Sequence, residues 1–503
     1  MVQFLEFGFP LGLFRTSQLQ SEQYNHASAV NFPDDVAHYL QTEIQHKAIW
    51  GPYDNPPIPL HLSPFLSRPK PNSDHRRMII DLSWPKGHSV NSATCTNIHV
   101  NAACALSYPT IDQMVEAAVQ ANHSDDCFLF KVDLERAFRN LRIDPNNYDV
   151  LGLYWDQAYF IDSGVPFGAK LGSFFCQATT DAIRFIMAQY GYHIFNYSDD
   201  ILGIHSSKET SDDAYRFLLA LLQDLGLPVS AKKLETPCRE LTCLGIEFDM
   251  CRLQIRIPQP KLNEITSLCL EWSHKSQATK NQLQSLIGKL VYIGKCVKPA
   301  RLFVNRMLQL LRQAPESGYI TLSQEFAKDL NWFNTSLGSF NGVVMLPSDK
   351  PPDHTIYVDS SLFAFGGVCS QQAYHLPLPD TLAGCNISFL ELLNIFVALQ
   401  YWAPTLKGST VLIYCDNMAA VHTLTHFRAT CPQLSTVARN IWSLLVSSNI
   451  SLTVHHIAGK DNHLADRLSR LSSTVDIAHF TNNFPGYDIK VLFSHWCRLN
   501  NDI

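Results

Sequence analysis

Tyr197-Ser198-Asp199-Asp200 lies between two short apolar segments, residues 194–195 before it and residues 201–204 after it. Apolar segments on both sides of a short polar stretch predict a β-hairpin, and here its turn carries two adjacent carboxylates. Neighbouring carboxylates repel each other unless a cation holds them, so the turn predicts a divalent metal site.

A third acidic position lies upstream, at the end of another apolar segment. Residues 128–138 read Phe-Leu-Phe-Lys-Val-Asp-Leu-Glu-Arg-Ala-Phe, a pattern typical of a buried strand that ends at Asp133. One carboxylate at a strand end and a pair at a hairpin turn form the layout of a two-metal site for nucleotidyl transfer.

Four short motifs follow one another along the chain. They are Asp133 with Phe138 five residues later, Val165-Pro166-Phe167-Gly168, Tyr197-Ser198-Asp199-Asp200, and Leu244-Gly245. Each alone is a weak signal, but in this order and at this approximate spacing they resemble the palm motifs of reverse transcriptases. Residues 81–91 and 456–470 resemble DIRS-like and gypsy-type (LTR-related) retrotransposon polymerases most. The resemblance covers roughly residues 56–472 and implies the reverse transcriptase and RNase H segment of such an element's polyprotein.

The resemblance implies an α+β right-hand polymerase with fingers, palm and thumb, followed by an α/β RNase H-like domain. An N-terminal extension of unknown role covers residues 1–55 and ends in a Pro-rich stretch. Fingers and palm are expected at 56–255, a thumb or connection at 256–346, the RNase H-like domain at 354–472 and a C-terminal tail at 473–503. A Pro/Asp/Lys linker at 347–354 precedes the RNase H-like domain.

The stretch after the palm is locally basic. Ten Lys or Arg lie between Arg256 and Arg312, against two Glu. This stretch predicts helices with an apolar face of Leu283, Leu286, Ile287, Leu290, Val291 and Ile293. A basic amphipathic helix pair is more often a solvated surface than a ligand site, but its place after a palm favours a thumb that grips a duplex.

The resemblance assigns roles to the palm carboxylates. Asp133 and Asp199 are expected to bind both catalytic metals, with Asp200 as the supporting third carboxylate. The metals implied are two Mg²⁺ per active site, with Mn²⁺ as a substitute, since hard cations take oxygen ligands. The bland alternative is a helix cap at Asp133 and an ordinary turn at 199–200, which the ordered set of motifs disfavours.

The resemblance also implies substrate contacts. Phe138 stands where reverse transcriptases place a bulky ring beside the sugar C2′, which would exclude ribonucleotides, although a core Phe would look the same. Gly168 and Gln177 match the template and nucleotide contact segment, and Tyr197 belongs to the same predicted set. Phe167 is a departure, because lentiviral enzymes have Gln there and gypsy-type enzymes commonly have Phe.

Cations near the triphosphate complete the predicted polymerase site. Arg77 matches the fingers Arg that lies over the triphosphate, and Lys70 is a second candidate in the same basic segment, residues 68–77. Lys233 or its neighbour Lys232 falls where the family keeps a Lys near the pyrophosphate leaving group. A guanidinium grips phosphate through two donors, and an ammonium can supply charge or a proton. Solvation is an equally good account of either Lys.

Four further carboxylates resemble an RNase H site: Asp359, Glu391, Asp416 and Asp466. Predicted strands at 356–359, 411–416 and 452–456, a helix at 388–402 and a short helix around Asp466 follow the order of that fold. All four are expected metal ligands and catalytic residues, where two metals activate water against an RNA phosphodiester. Many RNases H have a mobile His before the last Asp. Here Lys460 occupies that place and His463 lies three residues further on, so the assignment of a proton-shuttling His stays open.

Bulk composition sets limits on other functions. The net charge of −6 by itself argues against a nucleic-acid binder. The 14 cysteines show no zinc spacing and read as reduced thiols of an intracellular protein, cytoplasmic or nuclear or both. Residues 1–12 lack the basic start of a signal peptide, and no run of 18 apolar residues occurs, so no membrane partner is expected.

The expected function is an RNA- and DNA-directed DNA polymerase with RNase H activity. Its expected partners are an RNA template, a DNA primer, an RNA–DNA hybrid and dNTPs. The alternative is a catalytically inactive, retroelement-derived nucleic-acid-binding module, which the presence of all seven carboxylates disfavours. Asp162-Ser163-Gly164 spells an aspartic protease triplet, but it lies inside the palm without the flanking strand pattern of a protease.

Overall fold

A computed structural model describes residues 2–14, 19–21, 24–70, 76–95, 106–122, 126–345, 351–429 and 431–499. The chain forms two compact units, Met1–Leu253 and Gln254–Ile503. Two predicted features fall partly outside the described residues: the turn of the basic segment, at 71–75, and the first half of the linker, at 347–350. The five predicted segment boundaries stay predictions.

The described elements of the first unit alternate between helices and strands. Its helices are α1 Val2–Phe7, α2 Ala27–Val30, α3 Pro33–Gln45, α4 Val90–Ala93, α5 Ile111–Ala121, α6 Ala137–Asn140, α7 Gly172–Gln189 and α8 Lys208–Asp224. Its strands are β1 Ile49–Tyr53, β2 Phe65–Pro69, β3 Arg76–Ile80, β4 Phe128–Asp133, β5 Gly152–Trp155, β6 Ala158–Asp162, β7 Ile194–Tyr197, β8 Asp200–His205, β9 Glu235–Cys238, β10 Glu240–Cys243 and β11 Ile246–Asp249.

The central sheet of this unit has the order β7-β8-β4-β9, with each neighbouring pair antiparallel. The predicted hairpin is confirmed, because β7 and β8 flank the turn at 198–199. The helices α7 and α8 pack against this sheet. Gly203 in β8 lies opposite Phe130 in β4, and a Cβ at position 203 would come within 2.3 Å of the Phe130 ring. Gly203 therefore lets the two strands pair over a bulky aromatic side chain.

The N-terminal 55 residues share the hydrophobic core of the first unit. Phe9, Val36 and Leu40 are buried in the same cluster as Phe130 of β4. The strand β1 also pairs with β6, which makes it part of the three-stranded sheet β1-β6-β5. The sequence of this region has little periodicity, and its packing depends on partners more than 100 residues away.

A buried ion network connects the N-terminal region to the palm. Arg139 Nη1 donates to both carboxylate oxygens of Asp162 at 2.9 Å, and Arg139 Nε donates to Glu43 Oε2 at 2.8 Å. Arg136 Nη2 donates to the same oxygen of Glu43 at 2.9 Å. Asp162 is fully buried in this pairing. The Asp-Ser-Gly triplet therefore has a structural role as an arginine partner, in agreement with the prediction that it is not a protease motif.

The second unit begins with helices and ends with a mixed sheet. Its helices are α9 Gln259–Ser273, α10 Lys280–Ile293, α11 Ala300–Gln313, α12 Gln324–Ser336, α13 Ile387–Leu406, α14 Met418–His426, α15 Pro432–Ser447, α16 His463–Ser469 and α17 Thr474–Asn483. Its strands are β12 Gln254–Arg256, β13 Gln277–Ala278, β14 Ile320–Thr321, β15 Val343–Val344, β16 His354–Ser360, β17 Ala364–Cys369, β18 Gln372–Pro377, β19 Thr410–Cys415, β20 Ser451–His456 and β21 Asp488–Val491.

The predicted helices after the palm are confirmed, with one error in their apolar face. Of the six residues assigned to that face, all but Val291 are buried in α10. Val291 is 49% exposed, because it lies about 100° around the helix from the buried Leu290. Several of the cations are engaged in ion pairs: Lys261 and Lys289 with Glu264, Lys275 with Glu271, Lys280 with Glu316, and Arg306 with Asp329.

The sheet of the second unit has the order β20-β19-β16-β17-β18-β21. The strands β16, β17 and β18 are antiparallel neighbours, whereas β19 and β20 run parallel to β16. The predicted strands at 356–359, 411–416 and 452–456 correspond to β16, β19 and β20, and the predicted helices to α13 and α16. The sequence analysis missed β17 and β18. It also missed β21, which the C-terminal tail adds to the edge of the sheet in parallel with β18.

The helix α13 is the core helix of this sheet domain. It is long and apolar enough to cross a membrane by length and composition, and 61% of its apolar window is buried inside the structure. It carries Glu391, which is buried.

A second buried ion network lies within the second unit. Asp329 of α12 receives hydrogen bonds from Arg306 of α11, at 2.6 and 3.0 Å, and an ion pair from the buried Arg439 of α15, at 3.0 Å. The Phe303 ring stacks on Trp332 with centroids 4.2 Å apart. These contacts hold the helices α11 and α12 against the sheet domain.

The buried network of the first unit predicts a large stability difference between two Asp-to-Ala variants. Asp162→Ala leaves the buried guanidinium of Arg139 with only part of its counter-charge, so we expect a loss of about 3–5 kcal/mol in the free energy of unfolding. Asp212→Ala removes an exposed pair with Lys208 and should cost less than about 1 kcal/mol. Urea-dependent hydrogen exchange of peptides from the first unit measures both. Equal costs would contradict a stabilising role for the network.

Candidate active sites

The three palm carboxylates meet at one end of the central sheet. Asp133 is the last residue of β4 and lies directly opposite Asp200, the first residue of β8. The backbone of Asp199 is fixed as well, because its carbonyl accepts a hydrogen bond from the Leu134 amide at 3.0 Å. Ser198 has a left-handed φ of 52°, which closes the tight turn between β7 and β8. Strand register therefore brings together the three residues that the sequence analysis predicted.

The palm carboxylates are short of positive charge. Burial raises the pKa of Asp199, and the charge of Asp133 raises it further. Burial likewise raises the pKa of Asp200, while Lys131 at 3.6 Å lowers it. The buried Oδ1 of Asp200 has no hydrogen-bond partner among the described residues. The ionic partner of this oxygen is Lys131 Nζ at 3.6 Å. Three carboxylates gathered in this way are a donor set that fits hard divalent cations such as Mg²⁺ or Mn²⁺.

Lys233 is the nearest cation to Asp133. It lies on a short 3₁₀ turn, Ala231–Lys233, and its Nζ donates to both Asp133 oxygens at 2.9 and 2.8 Å. This hydrogen bond raises the pKa of Lys233. Lys232 and Lys233 are both exposed, and it is Lys233 whose Nζ reaches Asp133. The geometry therefore favours Lys233 over Lys232 as the cation of the site, and a metal on Asp133 requires Lys233 to release at least one oxygen.

The predicted sugar and template contacts lie close together. The rings of Phe138 and Phe167 have centroids 5.5 Å apart, with Phe138 half-buried and Phe167 exposed. Gly168 has a φ of +116°, and a Cβ there would lie 2.4 Å from the carbonyl oxygen of Ile80 in β3. The Phe167 carbonyl accepts a hydrogen bond from the Ile80 amide at 3.2 Å. Glycine is thus required where the palm backbone approaches the β2–β3 hairpin.

The β2–β3 hairpin presents the predicted triphosphate cations. Arg77 is exposed and pairs across the hairpin with Arg68, and Lys70 is also exposed at the end of β2. Arg76 is engaged differently. Its Nε donates to Ser67 Oγ at 2.7 Å, and its guanidinium lies 3.9 Å from the Phe32 ring centroid. Arg77 is therefore the arginine of this strand that is presented to solvent.

Gln177 supports the turn between β7 and β8 through hydrogen bonds. It is buried in α7, and its Oε1 accepts a hydrogen bond from the Ser198 amide at 2.9 Å. Its Nε2 donates to the Asn196 carbonyl and to Asp181 Oδ1, each at 3.2 Å. Asn196 Nδ2 in turn donates to Asp181 Oδ1 at 3.0 Å. The predicted substrate contact of Gln177 stays a prediction, and the structure gives this side chain a positioning role.

Tyr197 gains an aromatic partner that the sequence analysis missed. Its ring, 40% exposed, stacks on Tyr108 with centroids 4.3 Å apart. The sequence carries only one kind of signal for the side chains that support the turn between β7 and β8. These are polar or aromatic residues in otherwise apolar surroundings, such as Asn196 within β7.

The second set of carboxylates gathers at the ends of β16 and β19. Asp359 lies near the end of β16, Glu391 in the second turn of α13, Asp416 directly after β19 and Asp466 in α16. Burial raises the pKa of Asp359, and the charges of Asp416 and Asp466 raise it further. Burial is the larger cause, and it raises the pKa of Asp359 to about 6 and that of Glu391 to about 8.

Hydrogen bonds orient these carboxylates. Ser469 Oγ donates to Asp359 Oδ2 at 2.6 Å, and the Ser360 amide donates to Glu391 Oε1 at 3.0 Å. Arg470 Nε donates to Asp466 Oδ1 at 2.6 Å. The sequence analysis missed these partners, since they become neighbours only through the fold. Four converging carboxylates, with the pKa values of Asp359 and Glu391 raised, fit a pair of hard divalent cations.

The residues near the predicted mobile histidine take different positions. His463 begins α16 and lines a cavity of about 550 Å³ together with Tyr357 and Tyr487. Asn462, its neighbour, is buried and donates to the Val358 carbonyl at 2.8 Å. Lys460 lies on the short 3₁₀ turn Gly459–Asp461. A proton-transfer role for His463 stays a prediction.

A family match covers the segment that contains the first site. Residues 68–248 match the family described as reverse transcriptase (RNA-dependent DNA polymerase). The chain is 21% identical over 455 residues to the retrovirus-related Pol polyprotein from transposon 412 of Drosophila melanogaster, covering 88% of this chain and 34% of that protein. It is 23% identical over 334 residues to Polyprotein P3 of Commelina yellow mottle virus, covering 61% of this chain and 16% of that protein. The chain thus spans about a third or less of these relatives.

Solved structures share the fold. The foamy viral protease-reverse transcriptase dRH in complex with double-stranded DNA gives a TM-score of 0.54 at 14% identity, covering 88% of this chain and 73% of that chain. The foamy viral protease-reverse transcriptase in complex with an RNA/DNA hybrid gives a TM-score of 0.51 at 15% identity, covering 92% of this chain and 58% of that chain. The likeness supports a reverse transcriptase polymerase fold.

The raised pKa of Glu391 predicts a pH-dependent stability of the second unit. Burial raises the pKa of Glu391 to about 8 from the ordinary Glu value of 4.5, so the folded state binds more protons between these values. Stability without metal should therefore fall as pH rises from 5 to 8. Glu391→Gln should flatten this slope, and Glu316→Gln, an exposed control, should not. Thermal unfolding in EDTA, followed by peptides of the second unit, gives the slopes, and an unchanged slope in Glu391→Gln would contradict the assignment.

Proposed function

We propose that this chain, whose residues 68–248 carry a reverse transcriptase domain, is an RNA- and DNA-directed DNA polymerase with a C-terminal RNase H. The observation that carries the polymerase proposal is the convergence of Asp133, Asp199 and Asp200 within the matched segment, where the buried Oδ1 of Asp200 has no hydrogen-bond partner among the described residues and forms an ion pair with Lys131 at 3.6 Å. The motifs at 81–91 and 456–470 favour a DIRS-like or gypsy-type retrotransposon as the source.

The palm residues would position the metals and the reacting groups. Asp133 and Asp199 would hold both cations, and Asp200 would support them. Two Mg²⁺, or Mn²⁺ as a substitute, supply activation of the primer 3′-hydroxyl and neutralise charge on the phosphate when bound. Asp133 keeps Lys233 protonated, and Lys233 would supply positive charge or a proton to the pyrophosphate leaving group.

The remaining palm and fingers residues would bind the incoming dNTP and the nucleic acid. Arg77 and Lys70 are presented to solvent on the β2–β3 hairpin, where they would contact the triphosphate. The Phe138 ring would exclude a ribose 2′-hydroxyl. Phe167 with Gly168 would contact the template, and Tyr197 the primer.

The RNase H proposal rests on the second set of carboxylates and on the strand order of the sheet. Asp359, Glu391, Asp416 and Asp466 would hold two divalent cations and orient the attacking water against the RNA strand of a hybrid. Selectivity for RNA would come from groups that contact the 2′-hydroxyl. The partners proposed are an RNA template, a DNA primer, their hybrid and dNTPs, in the cytoplasm or nucleus, without a membrane.

Two single-residue variants test the division of labour. Asp199→Asn should abolish primer extension on an RNA template with dNTPs and Mg²⁺ while leaving template cleavage intact. Asp416→Asn should abolish cleavage while leaving extension intact, because each change removes a metal ligand at one site alone. Extension and cleavage are followed in the same reaction, with Asp212→Asn as a control that retains both. An intact chain that binds the hybrid but neither extends nor cuts it would support the inactive-module alternative.

The hydrogen bonds beneath the turn predict a selective effect of Gln177. Gln177→Leu removes the acceptor of the Ser198 amide, so Asp199 and Asp200 should lose their fixed geometry. Misplacement of catalytic groups by about 1 Å costs on the order of a hundredfold, so we expect extension to slow by roughly tenfold to a hundredfold. Gln189→Leu, an exposed change at the end of the same helix, is the matched control.

RNA cleavage provides the internal reference for Gln177→Leu, because the four carboxylates of the second unit do not depend on the turn. Extension rates equal to the control would refute the positioning role. Equal losses of extension and cleavage would indicate a folding defect instead.

A further inference from the structure

A thiol lies among the carboxylates of the second site. Cys415 is the last residue of β19, is buried, and directly precedes Asp416. Its Sγ lies 3.6 Å from Glu391 Oε2. One donor atom each from Glu391, Cys415 and Asp416 lie within 4.8 Å of one another, and no other such group of three His, Cys, Asp or Glu residues occurs in the described parts of the chain.

The separation of the donor atoms suits a tetrahedral metal. Zinc–thiolate bonds of about 2.3 Å and zinc–carboxylate bonds of about 2.0 Å, at a tetrahedral angle, place sulfur and oxygen about 3.5 Å apart. The observed distance between Cys415 Sγ and Glu391 Oε2 is 3.6 Å. An ion could therefore bind these two atoms with little movement of either side chain.

The backbone orients the donors toward each other. The Ser360 amide binds Glu391 Oε1, which leaves Oε2 facing the thiol. The Asn417 amide lies 3.4 Å from Cys415 Sγ and fixes the side chain from the other side. On the far side of Asp416, Gly459 has no side chain, and a Cβ there would come within 3.3 Å of Asp416 Oδ2. Backbone groups outside the cluster therefore determine the positions of its donor atoms.

Sulfur changes which metal the cluster prefers. Thiolates are soft ligands that favour Zn²⁺ and related soft ions, whereas Mg²⁺ takes oxygen ligands and keeps several waters. Glu391 and Asp416 provide oxygens that either class of metal can use. Cys415 adds a ligand that only the softer metals use well.

We propose that Glu391, Cys415 and Asp416 form a soft-metal site that takes Zn²⁺ or Cd²⁺ and overlaps the Mg²⁺ ligands of the RNase H site. The inhibitory part of this proposal rests on the proposed RNase H function. Binding forms one metal–sulfur bond and metal–oxygen bonds to Glu391 and Asp416, and it releases the thiol proton and the proton of Glu391 to water, with no change of oxidation state. Because a soft metal would occupy Glu391 and Asp416, it would block cleavage of the hybrid in the presence of Mg²⁺.

Cadmium absorption tests the binding directly on the full chain. Cd²⁺–thiolate bonds give an ultraviolet charge-transfer band, so titration with Cd²⁺ should give a saturable band that Cys415→Val lacks. Cys369→Val is the matched control, because Cys369 is also buried at a strand end of the same sheet but is not part of the carboxylate cluster. This variant should retain the full band. A Cys415→Val spectrum equal to that of the intact chain would overturn the proposal.

Inhibition of cleavage tests the consequence. At fixed Mg²⁺, Zn²⁺ should inhibit RNA cleavage by the intact chain and by Cys369→Val, and at least tenfold more Zn²⁺ should be needed for Cys415→Val. Cys415→Thr, which replaces the thiol by a hydroxyl, should behave like Cys415→Val. Equal Zn²⁺ sensitivity of all variants would also overturn the proposal.

The two proposals can fail separately. Primer extension by Cys415→Val, catalysed by the other unit, checks that the variant is intact, and hydrogen exchange of peptides from the second unit checks its fold. A Cys415-dependent cadmium band in a chain that never cuts RNA would keep the soft-metal site and refute the RNase H function. Cleavage of RNA without a Cys415-dependent cadmium band would support the RNase H function and refute the soft-metal site.

Discussion

Negative charge collected at the ends of strands, with too little positive charge beside it, is the constraint on which both candidate sites depend. A carboxylate at a strand end is held by the sheet, so it cannot move away from its neighbours to relieve repulsion. In the first unit, strand register alone places Asp133 opposite Asp200. In the second, parallel pairing of β16 with β19 brings Asp359 and Asp416 to the same edge. The repulsion is a cost to the fold that bound cations would offset.

The two sites meet this constraint in different ways. The palm carboxylates have lysines close by, with Lys233 on both oxygens of Asp133 and Lys131 near Asp200. In the second site, the cation Arg470 donates a hydrogen bond to Asp466, and Glu391 is buried with a pKa of about 8. A protonated Glu391 carries no charge, so the second site lowers its repulsion by holding a proton, whereas the first does so by ion pairing. Metal binding would therefore displace an ammonium group in one site and a proton in the other.

The sequence predicted the residues that carry charge at strand ends better than the residues that hold them in place. Short apolar strands with an Asp at or next to their end are local patterns, so the hairpin at 197–200 and the strands β4, β16 and β19 could be recognised. The supports of these sites come from distant segments. Ser469 and the Tyr108 ring reach the carboxylates or the turn only after the chain has folded, and no local pattern marks them. Gln177 was predicted as a substrate contact, but its hydrogen bond to the turn was not predicted. Val291 was assigned to the wrong helix face because an apolar residue type does not determine which way the side chain points from the helix.

The largest omissions concern segments whose partners are remote in sequence. Residues 1–55 have weak periodicity because their apolar residues fill gaps in a core formed mainly by residues 130–227. The C-terminal β21 is a short exposed edge strand, and its pairing with β18 depends on that neighbour alone.

Buried ion networks anchor elements in both units. Glu43 reaches Arg139 across 96 residues, and Asp329 reaches Arg439 across 110. A buried ion pair adds little net stability compared with an apolar pair, but a missing partner is strongly destabilising. Each network therefore favours the one arrangement in which every charge finds its partner. In the first unit, the network of Glu43, Arg139 and Asp162 holds the N-terminal region against the part of the chain that carries the turn between β7 and β8.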